Sequence, residues 1–188
     1  SAGWDRVKAS GDAGGALSFA SLLKQTEISR AKTIHRVLRR HGVRYVPLDA
    51  GACRKTRALL QNFAFLAELP LGAKGYLQSL AGLPDDRARV QRVTRDFAYV
   101  KNKGARDLLI ELDLGRTLVA FDVRVLNLLK AAGAHVPDDV QMNKQRYEAL
   151  QTAVVEQVCK PAGLSGAEFD RVLYRNYDEM ISKLQKGT

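Results

Sequence analysis

Apolar residues in this chain return every three or four positions and nowhere alternate over a useful length, and that regularity limits the fold more than any other feature. A half-buried strand presents side chains to opposite faces with a period of two. Without that period the chain predicts an all-α protein of about nine helices.

The stretch 16–25 opens the series with Leu17, Phe19, Leu22 and Leu23 on one apolar face. The next helix, 28–41, turns Ile28, Ala31, Ile34, Val37 and Leu38 inward and leaves Arg30, Lys32, Arg36, Arg39 and Arg40 for a basic face, with Gly42 placed to end it. A dense apolar run at 53–69 predicts a central, mostly buried helix closed by Pro70. Helices at 74–83 and 85–99 follow, the second starting behind Pro84 with Asp85 and Asp86 at the positive end of its dipole. Further helices are expected at 105–114, 123–132 and 144–159, and a last one opens on Ser165 and Glu168 with capping-box spacing. Residues 1–3 carry no pattern, and Trp4 stands in a glycine-rich start where it either caps the core or stacks on a ligand. The chain reads as one domain, 1–188, with no repeat and no linker.

Charge narrows the partner. The chain of 188 residues carries a formal net charge of +10 with a pI near 9.8, which favours a polyanion, either nucleic acid or an anionic membrane surface. No stretch approaches the roughly 20 apolar residues that cross a bilayer, and no signal pattern opens the sequence, so a cytoplasmic protein without a membrane partner is expected. Cys53 and Cys159, two and far apart, suit reduced thiols. His35, His41 and His135 lack metal-ligand spacing with acids or cysteines, so no protein-bound catalytic metal or other cofactor is expected.

The chemistry concentrates in 100–125, VKNKGARDLLIELDLGRTLVAFDVRV. Lys101, Asn102, Lys103 and Gly104 form a basic, glycine-containing tight turn between two helices, and the exposed N–H groups of the second helix are a ready anion site. Gly104 lets a strand approach closely. A purely structural helical hairpin has the same pattern. Gly115 breaks the second helix, and Asp122 then stands between Phe121 and Val123, either as a helix N-cap or as an acid in a site. Lys103 is by composition a phosphate contact or a solvated lysine before it is a nucleophile.

The hairpin, the Gly115 break and Asp122 in Phe121-Asp122-Val123-Arg124-Val125 together resemble the helix-hairpin-helix DNA glycosylase superfamily. Ser21-Leu22-Leu23-Lys24-Gln25-Thr26 looks like that family's early leucine-rich helix. The tail, Asn143 to Tyr147 and Leu164 to Asp170, is loosely similar to the archaeal-type 8-oxoguanine DNA glycosylases. The resemblance spans about residues 16–178 and is specific only in the central unit.

It implies two helical lobes sharing a cleft, with the hairpin unit at 85–133. It also implies a monomer that excises an oxidised purine from duplex DNA carrying a lesion. The damaged nucleotide is flipped out while the hairpin grips backbone phosphates, a task that falls to Lys101, Asn102, Gly104 and Arg106, with Gln25 and Thr26 at the strand. In bifunctional members a lysine attacks the sugar C1′, while the aspartate assists its deprotonation and stabilises charge on the sugar. Asp122 matches the aspartate. Counting back nineteen residues from it gives Lys103, whereas aligning on the hairpin glycines puts Arg106 at the lysine position and Asn102 at the first glycine. Arginine cannot be that nucleophile. The chain therefore reads as a glycosylase with or without AP lyase activity, or as a DNA-binding relative without catalysis. The resemblance also implies a monovalent cation bridging hairpin carbonyls to a phosphate.

Overall fold

The computed structural model describes residues 2–186, and among them every regular element is helical: α1 (Ala2–Ala9), α2 (Phe19–Leu23), α3 (Glu27–Arg40), α4 (Arg54–Glu68), α5 (Gly72–Ala81), α6 (Asp86–Asp96), α7 (Asn102–Glu111), α8 (Val123–Ala131), α9 (Lys144–Val154) and α10 (Gly166–Lys186), with one π-helical turn at Val155–Cys159. The all-α class read from the apolar period stands. No helix among the described residues is long and apolar enough to cross a membrane. Cys53 and Cys159 are free and buried.

The chain divides into two compact units, the first reaching to Gln78 and taking in Asp96–Tyr99, the second formed by Ser79–Arg95 and the residues from Val100 onward. In the first, Val7, Leu22, Ile34, Val37, Leu38, Val43 and Phe63 make the core, and Trp4 and Phe19 pack against it. Trp4 thus caps a core. It rides on α1, a helix that the sequence pattern misses because its only large apolar residues are Trp4 and Val7.

Thr26 starts α3 rather than ending the helix before it: its hydroxyl accepts from the Ser29 N–H at 3.3 Å. Gly42 closes α3 as its composition predicted, with φ at +59° and the Val43 N–H bonded to the Leu38 carbonyl at 3.0 Å. Arg30 does not join the basic face. Its guanidinium lies 4.1 Å over the Phe63 ring and donates to the carbonyls of Leu22 and Gln25. Helix α4 is also less buried than its apolar density predicted: Thr56, Ala58 and Phe63 are its buried residues, and Phe65 instead meets Tyr76 and Phe97 edge-on at its side.

In the second unit α8 packs on α10 around Val119, Phe121, Val125, Leu128, Leu129, Tyr147, Phe169 and Leu173. The predicted capping box forms at the start of α10: the Glu168 carboxylate accepts from the Ser165 N–H at 2.8 Å and the Ser165 hydroxyl accepts from the Glu168 N–H at 3.2 Å.

Candidate active site

The turn expected at 101–104 is the first turn of a helix. Lys101 is extended (φ −107°, ψ −175°) and caps α7 without a side-chain bond, so α7 begins three residues earlier than the apolar pattern placed it. The reversal of the chain falls at Tyr99, which sits in the left-handed region at φ +66°. Lys101 is exposed, and Asn102, Lys103 and Gly104 are half-buried in the first turn, where backbone N–H groups have no helical acceptor. Three carbonyls of the hairpin are committed to the fold: Ala98 accepts from Asn62, Lys101 from the Ala105 N–H, and Asn102 from Arg106. Among the described residues no group of three or more His, Cys, Asp or Glu side chains could hold a metal ion.

Arg106 lies elsewhere than the DNA-contact position expected for it. It is 2 % exposed, with its guanidinium 4.0 Å over the Tyr147 ring, donating to Gln151 Oε1 at 2.7 Å and to the Asn102 carbonyl at 3.1 Å. Burial lowers its pKa, with Tyr147 and Glu148 opposing. The side chain fastens the first turn of α7 to α9 and does not face a phosphate.

Between α7 and α8 the backbone leaves regular structure while staying inside the protein. Gly115 permits the crossing, since a Cβ there would stand 3.1 Å from Leu109 Cβ and closer still to the Leu118 side chain. Leu118, Val119, Ala120 and Phe121 are all buried, and buried backbone groups cost free energy unless they are bonded. Side chains supply the bonds. At the exposed start of the segment the Thr117 N–H donates to Asp86 at 2.8 Å; inside it, the Ala120 N–H donates to Asp170 Oδ1 at 2.8 Å and the Phe121 N–H to the Tyr147 hydroxyl at 2.8 Å. Tyr147 in turn donates to the Val119 carbonyl at 3.2 Å, and Gln141 to the Phe121 carbonyl at 2.7 Å. Burial pushes the Tyr147 pKa well up, so the phenol keeps the proton it donates.

This irregular segment delivers Asp122. Its Oδ1 accepts from the N–H groups of Arg124 and Val125 at 2.9 and 3.0 Å, which makes the residue the N-cap of α8. Both bonds fall on one oxygen.

Around Asp122 the second unit gathers a lysine and two further carboxyls. Lys103 Nζ donates to Asp107 Oδ2, one helical turn along α7, the two side chains being 38 % and 39 % exposed. Burial raises the Asp107 pKa, Lys103 opposes the shift, and the charges of Asp122 and Glu111 add to it. Asp170, on α10, is pushed up to about 6, first by burial; its bond from Ala120 and the charge of Lys103 oppose, while Asp107 and Asp122 raise it. Lys103, Asp107 and Asp122 thus all bear on the proton affinity of Asp170, and Lys103 and Asp122 on that of Asp107.

Asp107 and Asp170 were not read as site residues from the sequence. Asp107 was within reach, since an acid four residues beyond a lysine on a helix is a pairing signal. Asp170 was not, because its role depends on a contact fifty residues away. Gln25 and Thr26 belong to the α2–α3 turn of the first unit, where Gln25 Nε2 donates to the Ser21 carbonyl at 3.3 Å and Gln25 Oε1 is buried without a bond. No known protein family, no characterised protein and no solved structure matches this chain.

Proposed function

We propose that this chain is a DNA N-glycosylase of the helix-hairpin-helix kind that removes an oxidised purine and forms a Schiff base through Lys103. The observation that carries the reading is the placing of Asp122, delivered by a buried segment to the start of α8, in the same unit as Lys103, nineteen residues before it in the chain and paired with Asp107. A glycosylase needs a nucleophile for C1′ and negative charge beside the sugar as its bond to the base breaks. Lys103 supplies the amine. Asp122 supplies the charge, fixed in direction because its other duty is to cap α8. The uncapped first turn of α7 and exposed Lys101 suit a backbone phosphate, and the net charge of +10 draws the duplex in.

A second reading, a DNA-binding protein without chemistry, is favoured by the full use of Asp122 Oδ1 in helix capping. One experiment separates the two. Duplexes carrying single oxidised purines are incubated with the protein and borohydride, and released base and covalent adduct are counted. Lys103→Gln is expected to abolish the adduct. Asp122→Asn, which keeps an equally good cap, is expected to slow base release by about 100-fold or more while leaving the fold intact. If no duplex in the panel loses a base, the catalytic reading is dead and the binding one takes its place.

A further inference from the structure

Accepting Lys103 as the amine of the proposed reaction, we infer that Asp107, and not Asp122, is the group that takes the proton from Lys103 and later returns it. An amine nucleophile must shed a proton before it can attack, and the acceptor must lie within hydrogen-bond reach of the nitrogen. Asp107 Oδ2 is the carboxylate oxygen in contact with Nζ. Asp122 spends Oδ1 on two backbone N–H groups, and Asp170 spends Oδ1 on the Ala120 N–H. Lys103 and Asp107 also share one helix, so their pairing is set by the rigid spacing of α7 and does not depend on a loop.

The electrostatic surroundings favour this use of Asp107. Lys103 and Glu111 of its own helix and Asp122 at the start of α8 act on it, and it acts in turn on Tyr147 of α9 and Asp170 of α10. Burial first, and then the negative neighbours, raise its proton affinity above that of an ordinary aspartate. A carboxylate that holds a proton more readily is a better acceptor from an ammonium beside it.

The step balances on an abasic aldehyde. One ammonium proton passes from Nζ to Asp107 Oδ2. The freed lone pair forms the Nζ–C1′ bond, the C1′–O π pair moves onto oxygen, and the second amine proton moves to that oxygen, leaving a neutral carbinolamine. Asp107 then gives its proton to the hydroxyl, water leaves with the C–O pair, and nitrogen's lone pair closes the iminium. Asp107 ends as a carboxylate beside the new cation, as it began beside the ammonium.

The test uses the full chain and two aldehydes, each with borohydride: a duplex with one abasic site, and pyridoxal phosphate with protein alone. Adducts are mapped to Lys103 by peptide mass spectrometry, with Lys103→Gln as the blank. Asp107→Asn is expected to slow adduct formation at Lys103 in both arms, by about 100-fold with the abasic duplex, and Asp107→Glu to recover most of the loss. In the wild type the rate against pH has a shoulder where Asp107 ionises. In Asp107→Asn the rate climbs smoothly with hydroxide, a change that a merely structural aspartate would not produce. An unchanged or faster rate in Asp107→Asn overturns the inference, since it marks Asp107 as a restraint on the amine. Should the wild type react with pyridoxal phosphate at Lys103 in an Asp107-dependent manner yet give no duplex adduct, the inference holds and the glycosylase reading fails. A duplex adduct at Lys103 that ignores Asp107 does the reverse, sustaining the glycosylase reading and overturning the inference.

Discussion

The two units solve the burial problem by different means. The first packs helix on helix, with Val7, Ile34, Val37, Leu38 and Phe63 inside. The second wraps its helices around a buried stretch without regular structure, and has to satisfy that backbone with Asp170, Tyr147 and Gln141. Their charge differs in the same sense. The first unit has thirteen Lys and Arg against six Asp and Glu, or +7, while the larger second unit has seventeen against fourteen, or +3. Net positive charge is therefore concentrated in the first, and the carboxyls with raised proton affinity, Asp107 and Asp170, lie in the second. Polar side chains recruited to hold an irregular backbone are already desolvated and fixed, which is the condition under which carboxyls acquire unusual proton affinities.

The sharpest way to break the comparison is to remove one of the side chains that holds the irregular segment. Tyr147→Ala deletes a fully buried ring, the phenol that serves Phe121 and Val119, and the face on which Arg106 lies. A loss of about 3–5 kcal/mol in unfolding free energy is expected. Tyr147→Phe keeps the ring and strands the Phe121 N–H, at a cost of about 1–3 kcal/mol. In the first unit, Thr26→Ala removes a helix cap where water can replace it, and about 1 kcal/mol is expected. Urea titrations of the three variants decide the matter. A Tyr147→Phe protein as stable as the wild type would show that the segment does not depend on its side-chain bonds.

The same contrast explains what the sequence revealed. Helix existence was legible throughout α3, α7, α8 and α10, because an amphipathic period is a local signal, and so were Gly42 and the Ser165–Glu168 capping box. The start of α7 was misplaced because Lys101 to Gly104 carry no apolar residue to set the period. Lys103 and Asp122 came forward as candidates through the resemblance and its lysine-to-aspartate spacing. Their neighbours did not, since Arg106 on Tyr147 and Asp170 under Ala120 are contacts made 41 and 50 residues apart, and no local pattern encodes them. Arg106 and Arg30 show the complementary error. Each sat where composition predicts an outward basic residue, and each instead lays its guanidinium on an aromatic ring inside its own unit.

Asp170 allows a finer test. Burial raises its carboxyl from 3.8 to about 6, so the folded chain holds that proton more tightly than the unfolded chain. The ionised form is then a cost to stability, absent below about pH 4 and complete above about pH 6. Asp170→Asn keeps an oxygen for the Ala120 N–H and removes the charge. It should stabilise the protein by about 1–3 kcal/mol near pH 8 and by almost nothing near pH 4. Denaturation midpoints at the two pH values measure the difference. An equal effect at both would mean that the charge of Asp170 is solvated and that the second unit is less unlike the first than its geometry indicates.

The smallest effect expected concerns the first unit alone. Lys32, Arg36 and Arg39 lie at positions i, i+4 and i+7 of α3, along one exposed stripe. Neutralising such surface residues changes folding stability by no more than about 0.5 kcal/mol, but each phosphate left without its cation should flatten the dependence of duplex affinity on salt by about 0.9 in log–log slope. Arg36→Gln with Arg39→Gln is therefore expected to reduce that slope by about 2. The matching pair in the second unit, Lys160→Gln with Lys183→Gln, removes amines that already face Glu156 and Glu179 at 2.7 and 2.6 Å, and should leave it unchanged. A reversed outcome would leave the second unit, where Lys101 stands, as the one that meets the duplex. The +7 of the first would then be a solvated surface, since charge that attracts a duplex must appear in the salt slope and charge that merely faces water does not.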